Sequence, residues 1–210
     1  MFSEELHIDR GVTAIIGGGG KTTLMYRLAE ELRQRGSVIV TTSTRIWPPA
    51  HLPIARETGP VEGVLCLGTP VAGGKLGAPA QPFAALAALA DFVLVEADGS
   101  AGLPLKAHAP HEPVIPENAA QVIAVVGAAG LEQPVDRVVH RPEIFRGLSG
   151  AGETATAEAV ARGLLREALH SRVLINQADS PARIAAARRL RALLPGPVTI
   201  AALEKGEIIC

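Results

Sequence analysis

Lys21 and Thr22 stand directly after four glycines, Gly17, Gly18, Gly19 and Gly20, in the run TAIIGGGGKTTLM. A lysine and a hydroxyl placed there suit phosphate chemistry. Glycine lets backbone N–H groups approach an anion closely, and the start of a following helix adds positive potential. Lys21 would reach the β- and γ-phosphates, and Thr22, followed by Thr23, would place its hydroxyl on Mg²⁺. The common spacing, G-x-x-x-x-G-K-[ST], is not met, because Ile15 stands where its first glycine belongs. What is present is the shorter G-x-x-G-K-T-T, Gly17 to Thr23. A glycine turn without a ligand is the plainer reading. The order strand, glycines, Lys-Thr-Thr, helix favours the phosphate reading, with Lys21 on an exposed loop.

Glu96 and Asp98 end the apolar run FVLVEADGS. Two residues apart on a continuing strand, they point to one side, at the strand end that faces the ligand crevice of an open parallel sheet. One carboxylate there can hold Mg²⁺ and the other can orient a nucleophile. Lys21, Glu96 and Asp98 are therefore the catalytic candidates, and Thr22, Glu96 and Asp98 the Mg²⁺ ligands. Solvated acids in an Asp-Gly turn are the competing explanation.

Three further places carry polar groups. TTSTRIWPP puts Thr44 and Arg45 at another strand end, where they could sense a γ-phosphate, or simply follow a threonine-rich strand. Trp47 reads as a packing residue. GLPLKAHAPHEPVIP gathers Lys106, His111 and Glu112 between prolines. Its H-x-x-H-E order is not a helical zinc signature, so a substrate or partner lip competes with a rigid connector. LINQADS ends in Asn176 and Asp179, similar to the N-K-x-D guanine reader but with Gln177 in the lysine position. An Asn-Asp turn with Ser180 capping a helix accounts for it equally well.

These groups need a frame. Strand-length apolar runs at about 12–16, 37–41, 63–67, 92–96, 121–126, 172–176 and 197–201 alternate with helical stretches at about 21–35, 79–90, 154–169 and 181–194. Strands apolar on both faces belong in a covered parallel sheet. The pattern predicts one domain, 1–210, of α/β class: a doubly wound, mostly parallel sheet with helices on both faces, like a P-loop NTPase. The glycine-rich 71–77 and 147–153 read as mobile loops, and 104–116 as an ordered extended loop held by prolines.

Composition narrows the class. The chain has 210 residues, is 48% hydrophobic and carries net charge −1, so it folds as a globular protein and lacks the basic surface of a nucleic-acid binder. Its apolar segments are too short to span a membrane, and its N-terminus lacks the pattern of a secretory signal. Two cysteines, Cys66 and Cys210, do not make a disulfide framework, which favours a reduced, cytoplasmic setting.

The short spacing resembles the ATP loop of the Mur-type amide ligases. Over nearly its whole length, the chain resembles the YqeC-type accessory proteins of selenium-dependent hydroxylases, through GGGGKTT, TTSTRIWPP, VLVEADGSAGLPLKAHAPHEPVIP, VVHRPEIF and LINQAD in that order. The resemblance implies a nucleotide-dependent role, with ATP or GTP and Mg²⁺, in maturing a molybdenum hydroxylase or a labile selenium cofactor. A molybdenum hydroxylase or a selenium-cofactor maturation protein would be the partner. Three readings stay open: an Mg²⁺-dependent NTPase, a nucleotide switch that barely hydrolyses, and an ATP-dependent small-molecule ligase or kinase.

Overall fold

A computed structural model describes residues 1–209. The chain forms two compact units. The first comprises residues 1–16, 22–98 and 114–122, and the second residues 17–21, 99–113 and Ile123 onward.

Among the described residues the main strands are β1 (Gly11–Gly17), β2 (Val38–Thr42), β3 (Ile54–Ala55), β4 (Val64–Leu67), β5 (Phe92–Glu96), β6 (Ala119–Gly127), β7 (Arg172–Asn176), β8 (Val198–Ala202) and β9 (Glu207–Ile209). In the first unit the order is β1-β5-β2-β4-β3, and every pairing is parallel. In the second it is β6-β7-β8-β9, parallel except for β8 with β9. This is the doubly wound, mostly parallel α/β architecture that two-sided apolar strands require, since both sheet faces must be covered.

Helix α1 (Lys21–Leu32) follows β1. It buries Leu24, Met25, Leu28, Ala29 and Leu32, the i, i+4, i+8 stripe and its neighbours, all removed from solvent. It stops at Leu32, short of the predicted residue 35: residues 33–35 form a turn that runs into Gly36, a residue that disfavours a further helical turn. The core of the first unit gathers Val12, Ile39, Leu67, Leu86, Val93 and Val95. Each such side chain contributes about 1.5–3 kcal/mol on burial.

The second unit holds helices α2 (Pro142–Ser149), α3 (Ala157–Glu167) and α4 (Pro181–Leu193). Thr156 and Ser180 cap α3 and α4 by accepting from Ala159 N and Arg183 N, which sets where each begins. Ala187 and Leu190 form the buried face of α4, as their spacing predicts.

Three expectations are corrected. The helix expected over 79–90 is the single turn Phe83–Leu86, because Pro79 and Pro82 bar helix before it. Gly147, Leu148 and Ser149 are not a mobile loop but the last turn of α2, which Gly150 closes at φ +66. Residues 71–77 join Thr69–Pro70 to Leu76–Gly77 in an antiparallel hairpin, with Arg45–Ile46 pairing on the other side of Leu76–Gly77. Among the described residues no helix is long and apolar enough to cross a membrane.

Candidate functional site: a glycine loop and a buried acidic strand end

In the second unit, the glycine loop is held tightly by its own protein. Gly18 N–H donates to Val125 O at 2.9 Å, and Gly19 N–H to Leu103 O at 3.1 Å. The glycines are there partly for room. A Cβ on Gly17 would lie 2.3 Å from Val125 O, and one on Gly18 2.6 Å from Leu103 O. One on Gly19 would lie 2.5 Å from the Gly127 backbone, and Gly19 also needs φ +78. The backbone approach is therefore to the neighbouring chain as much as to any ligand. Two N–H groups of the run are already engaged, which narrows any anion cradle to those that follow.

Lys21 is not on an exposed loop. It is 4% exposed, and its ammonium donates to Gly17 O at 2.7 Å, folding back along the loop that precedes it. Burial of a lysine needs such acceptors, because an ammonium without them costs several kcal/mol. Asn176, at the end of β7, braces the same loop. Its Nδ2 donates to Gly19 O at 2.7 Å, and its Oδ1 accepts from Leu203 N at 2.9 Å. Both ends of this amide are engaged with backbone. Asp179, three residues on, accepts twice from Arg183 Nη1, at 2.7 and 2.9 Å, one turn into α4.

In the first unit, β5 ends at Glu96, between Ile15 of β1 and Thr42 of β2 in register. Thr22, one residue into the helix, donates its hydroxyl to Glu96 Oε2 at 2.6 Å. Thr42 Oγ1 donates to Glu96 O at 2.8 Å and accepts from Thr44 N at 3.0 Å, so the turn after β2 is tied to the acidic strand end. Glu96 is buried, and Asp98 is wholly so at 0% exposure. They are not the solvated acids of an open turn. Thr23 and Arg45 face solvent.

Tyr26, one turn beyond Thr22, has its phenol pushed above the usual value by burial, then by Cys66 and Glu96. Trp47 does not pack. It is 63% exposed, with Lys75 Nζ 5.0 Å from its ring centroid.

The proline-rich loop splits its polar residues. Lys106 is buried, donating to Gly99 O at 2.5 Å and pairing with Glu112 Oε2 at 3.1 Å. Arg141 Nε donates to the same Oε2 at 3.0 Å. Burial alone would raise the Glu112 carboxyl. The hydrogen bonds and charges of Arg141 and Lys106 outweigh it and bring the group down to about 2. His111 is exposed, whereas His108 Nδ1 lies 2.9 Å from Glu167 Oε2.

Arg141, Glu167 and the carbonyls of Leu103 and Pro104 have no signal in local spacing. Their partners lie tens of residues away, although Arg141-Pro142 is visible as a helix start.

Residues 13–143, more than half of the chain and including the glycine loop, Glu96, Asp98 and the proline-rich loop, match the family model described as YqeC protein. The chain is 37% identical over 163 residues to "Uncharacterized protein YqeC" of Escherichia coli (strain K12). That match covers 70% of this chain and 64% of the relative, so it spans less than two thirds of the relative's length. The chain belongs to the YqeC family.

Proposed function

We propose that this protein binds a nucleoside triphosphate with Mg²⁺ and hydrolyses it, as a cytoplasmic accessory factor in maturing a molybdenum hydroxylase or its labile selenium cofactor. The observation that carries the nucleotide reading is the 2.6 Å hydrogen bond from Thr22 Oγ1 to the buried Glu96 carboxylate, directly after a glycine run and a buried lysine. A hydroxyl and carboxylates are hard oxygen donors, which fit Mg²⁺, an ion that keeps few protein ligands and takes the rest from phosphate and water. Thr22, Glu96 and Asp98 would hold it. When bound, it supplies neutralisation of charge on the transferring phosphoryl group. Lys21 is the phosphate ligand, a point charge on a short tether. Asp98 orients the attacking water, and Asn176 keeps the Gly19 backbone in place. The accessory role is what the resemblance to the YqeC family implies, carried by the carboxylate strand, Lys106 and the His111-Glu112-Pro113 run of this chain.

Calorimetric titration with ATP, GTP and CTP, with and without Mg²⁺, tests the reading. At least one should bind in the micromolar range and lose most of its affinity when Mg²⁺ is withdrawn. Absence of binding by all three would end it. The same panel addresses the base. A preference for ATP would leave Asp179 as the helix-start partner of Arg183 and no more.

A further inference from the structure

We propose that Glu112 is a latch that fixes the backbone of the glycine loop, acting through the strap Gly99–Pro113. This inference rests on the nucleotide reading only for its consequence on ligand affinity, because the mechanical part is carried by the second unit alone. The strap lies against the glycine loop backbone to backbone. Leu103 O accepts from Gly19 N, and Pro104 O accepts from Gly127 N at 2.8 Å. Side chains are excluded along this seam. A Cβ would lie 2.6 Å from Leu103 O on Gly18, 2.7 Å from Pro104 Cβ on Gly127, and 2.7 Å from Leu105 Cγ on Gly130. Such contact ties the loop to the strap, beside the bonds of Gly18 N to Val125 O and of Asn176 Nδ2 to Gly19 O.

What holds the strap is a charge cluster centred on one oxygen. Glu112 Oε2 takes both Lys106 Nζ and Arg141 Nε, at 3.1 and 3.0 Å. Lys106 also closes the strap on itself through Gly99 O, and Leu105–Lys106 pairs in parallel with Val139–His140. The Lys106 side chain is 0% exposed and that of Glu112 14%, so this is a shielded cluster rather than a surface pair of little weight. A second tie, from His108 N to Glu167 Oε1 at 2.7 Å, fixes the strap between Lys106 and Glu112 to α3. Glu112 thus joins Lys106 to Arg141 through one carboxylate oxygen. With its carboxyl held near 2, the latch stays charged throughout the neutral range.

The test is Glu112→Gln, which keeps size and one acceptor but removes the charge. Amide hydrogen exchange read by NMR should quicken about tenfold or more at Gly19 and Gly127, whose acceptors are strap carbonyls, and stay unchanged at Val173, Leu174 and Ile175 of β7. Glu112→Asp should fall between parent and amide. Affinity for Mg²⁺-ATP and Mg²⁺-GTP, whichever the parent binds, should fall about tenfold. Unchanged exchange at Gly19 and Gly127, or a uniform rise at all amides, overturns the latch. Local quickening with parental affinity overturns its role in positioning the ligand loop. If the parent binds neither nucleotide, the proposed function fails while the exchange result still decides the latch. Should the amide variant not fold, Arg141→Met, at a partly exposed position, carries the same measurements.

Discussion

At Lys21 two demands meet. The ammonium is buried on Gly17 O, and the same group is the one a phosphate would take. Lys21→Ala should lower triphosphate affinity at least tenfold, about 1.4 kcal/mol or more. Because the residue is packed, it should also lower the melting temperature by a few degrees. Calorimetry and a thermal melt separate the two; parental affinity in a folded mutant would remove lysine from the phosphate role. Glu96 makes the complementary case. Glu96→Gln still offers Thr22 an acceptor but has lost the charge a hard cation needs. Nucleotide binding measured without Mg²⁺ should stay within about twofold, while the gain on adding Mg²⁺ should largely vanish. Equal losses with and without the ion would show that the carboxylate supports structure only.

Among the elements, the turn between β1 and α1 explains most. Its glycines answer to Val125, Leu103, Pro104 and Gly127, and their cost in flexibility is offset by an approach no other residue permits. Gly17→Ala and Gly19→Ala should each destabilise by about 3 kcal/mol or more, since both combine a blocked Cβ with φ of +96 and +78. Gly147→Ala, within α2 and with nothing within 4 Å of the added carbon, should instead stabilise by about 0.5–1 kcal/mol. Urea unfolding of the three variants checks the contrast. A mild effect at Gly19 would mean that the Gly127 backbone and the Pro104 carbonyl of the strap can move aside, and would weaken the latch as well.

Across the whole molecule, Cys66 reports on the first unit. It lies on β4 at 0% exposure, and burial pushes its thiol up to about 12. A thiol both inaccessible and protonated does not alkylate. Peptide-resolved mass spectrometry after iodoacetamide should find Cys66 unmodified for hours in native buffer and modified within minutes in denaturant. Rapid native labelling would show that this unit opens far more readily than its packing allows.

Local chemistry made much of the protein legible from its sequence. The main strands, α1, the cap at Ser180 and the parallel α/β class follow from apolar runs, periodicity and a hydroxyl cap, which act over a few residues. The glycine run with Lys21 and the pair Glu96 and Asp98 stood out for the same reason. Tertiary structure alone decided where those groups' bonds go. Lys21 is buried, Glu96 accepts from a hydroxyl 74 residues earlier, Asn176 holds Gly19 across 157 residues, and Trp47 is left in solvent. Those outcomes depend on which strand ends meet, and that is set by burying the apolar faces of the whole chain at once, not by any residue's neighbours in sequence.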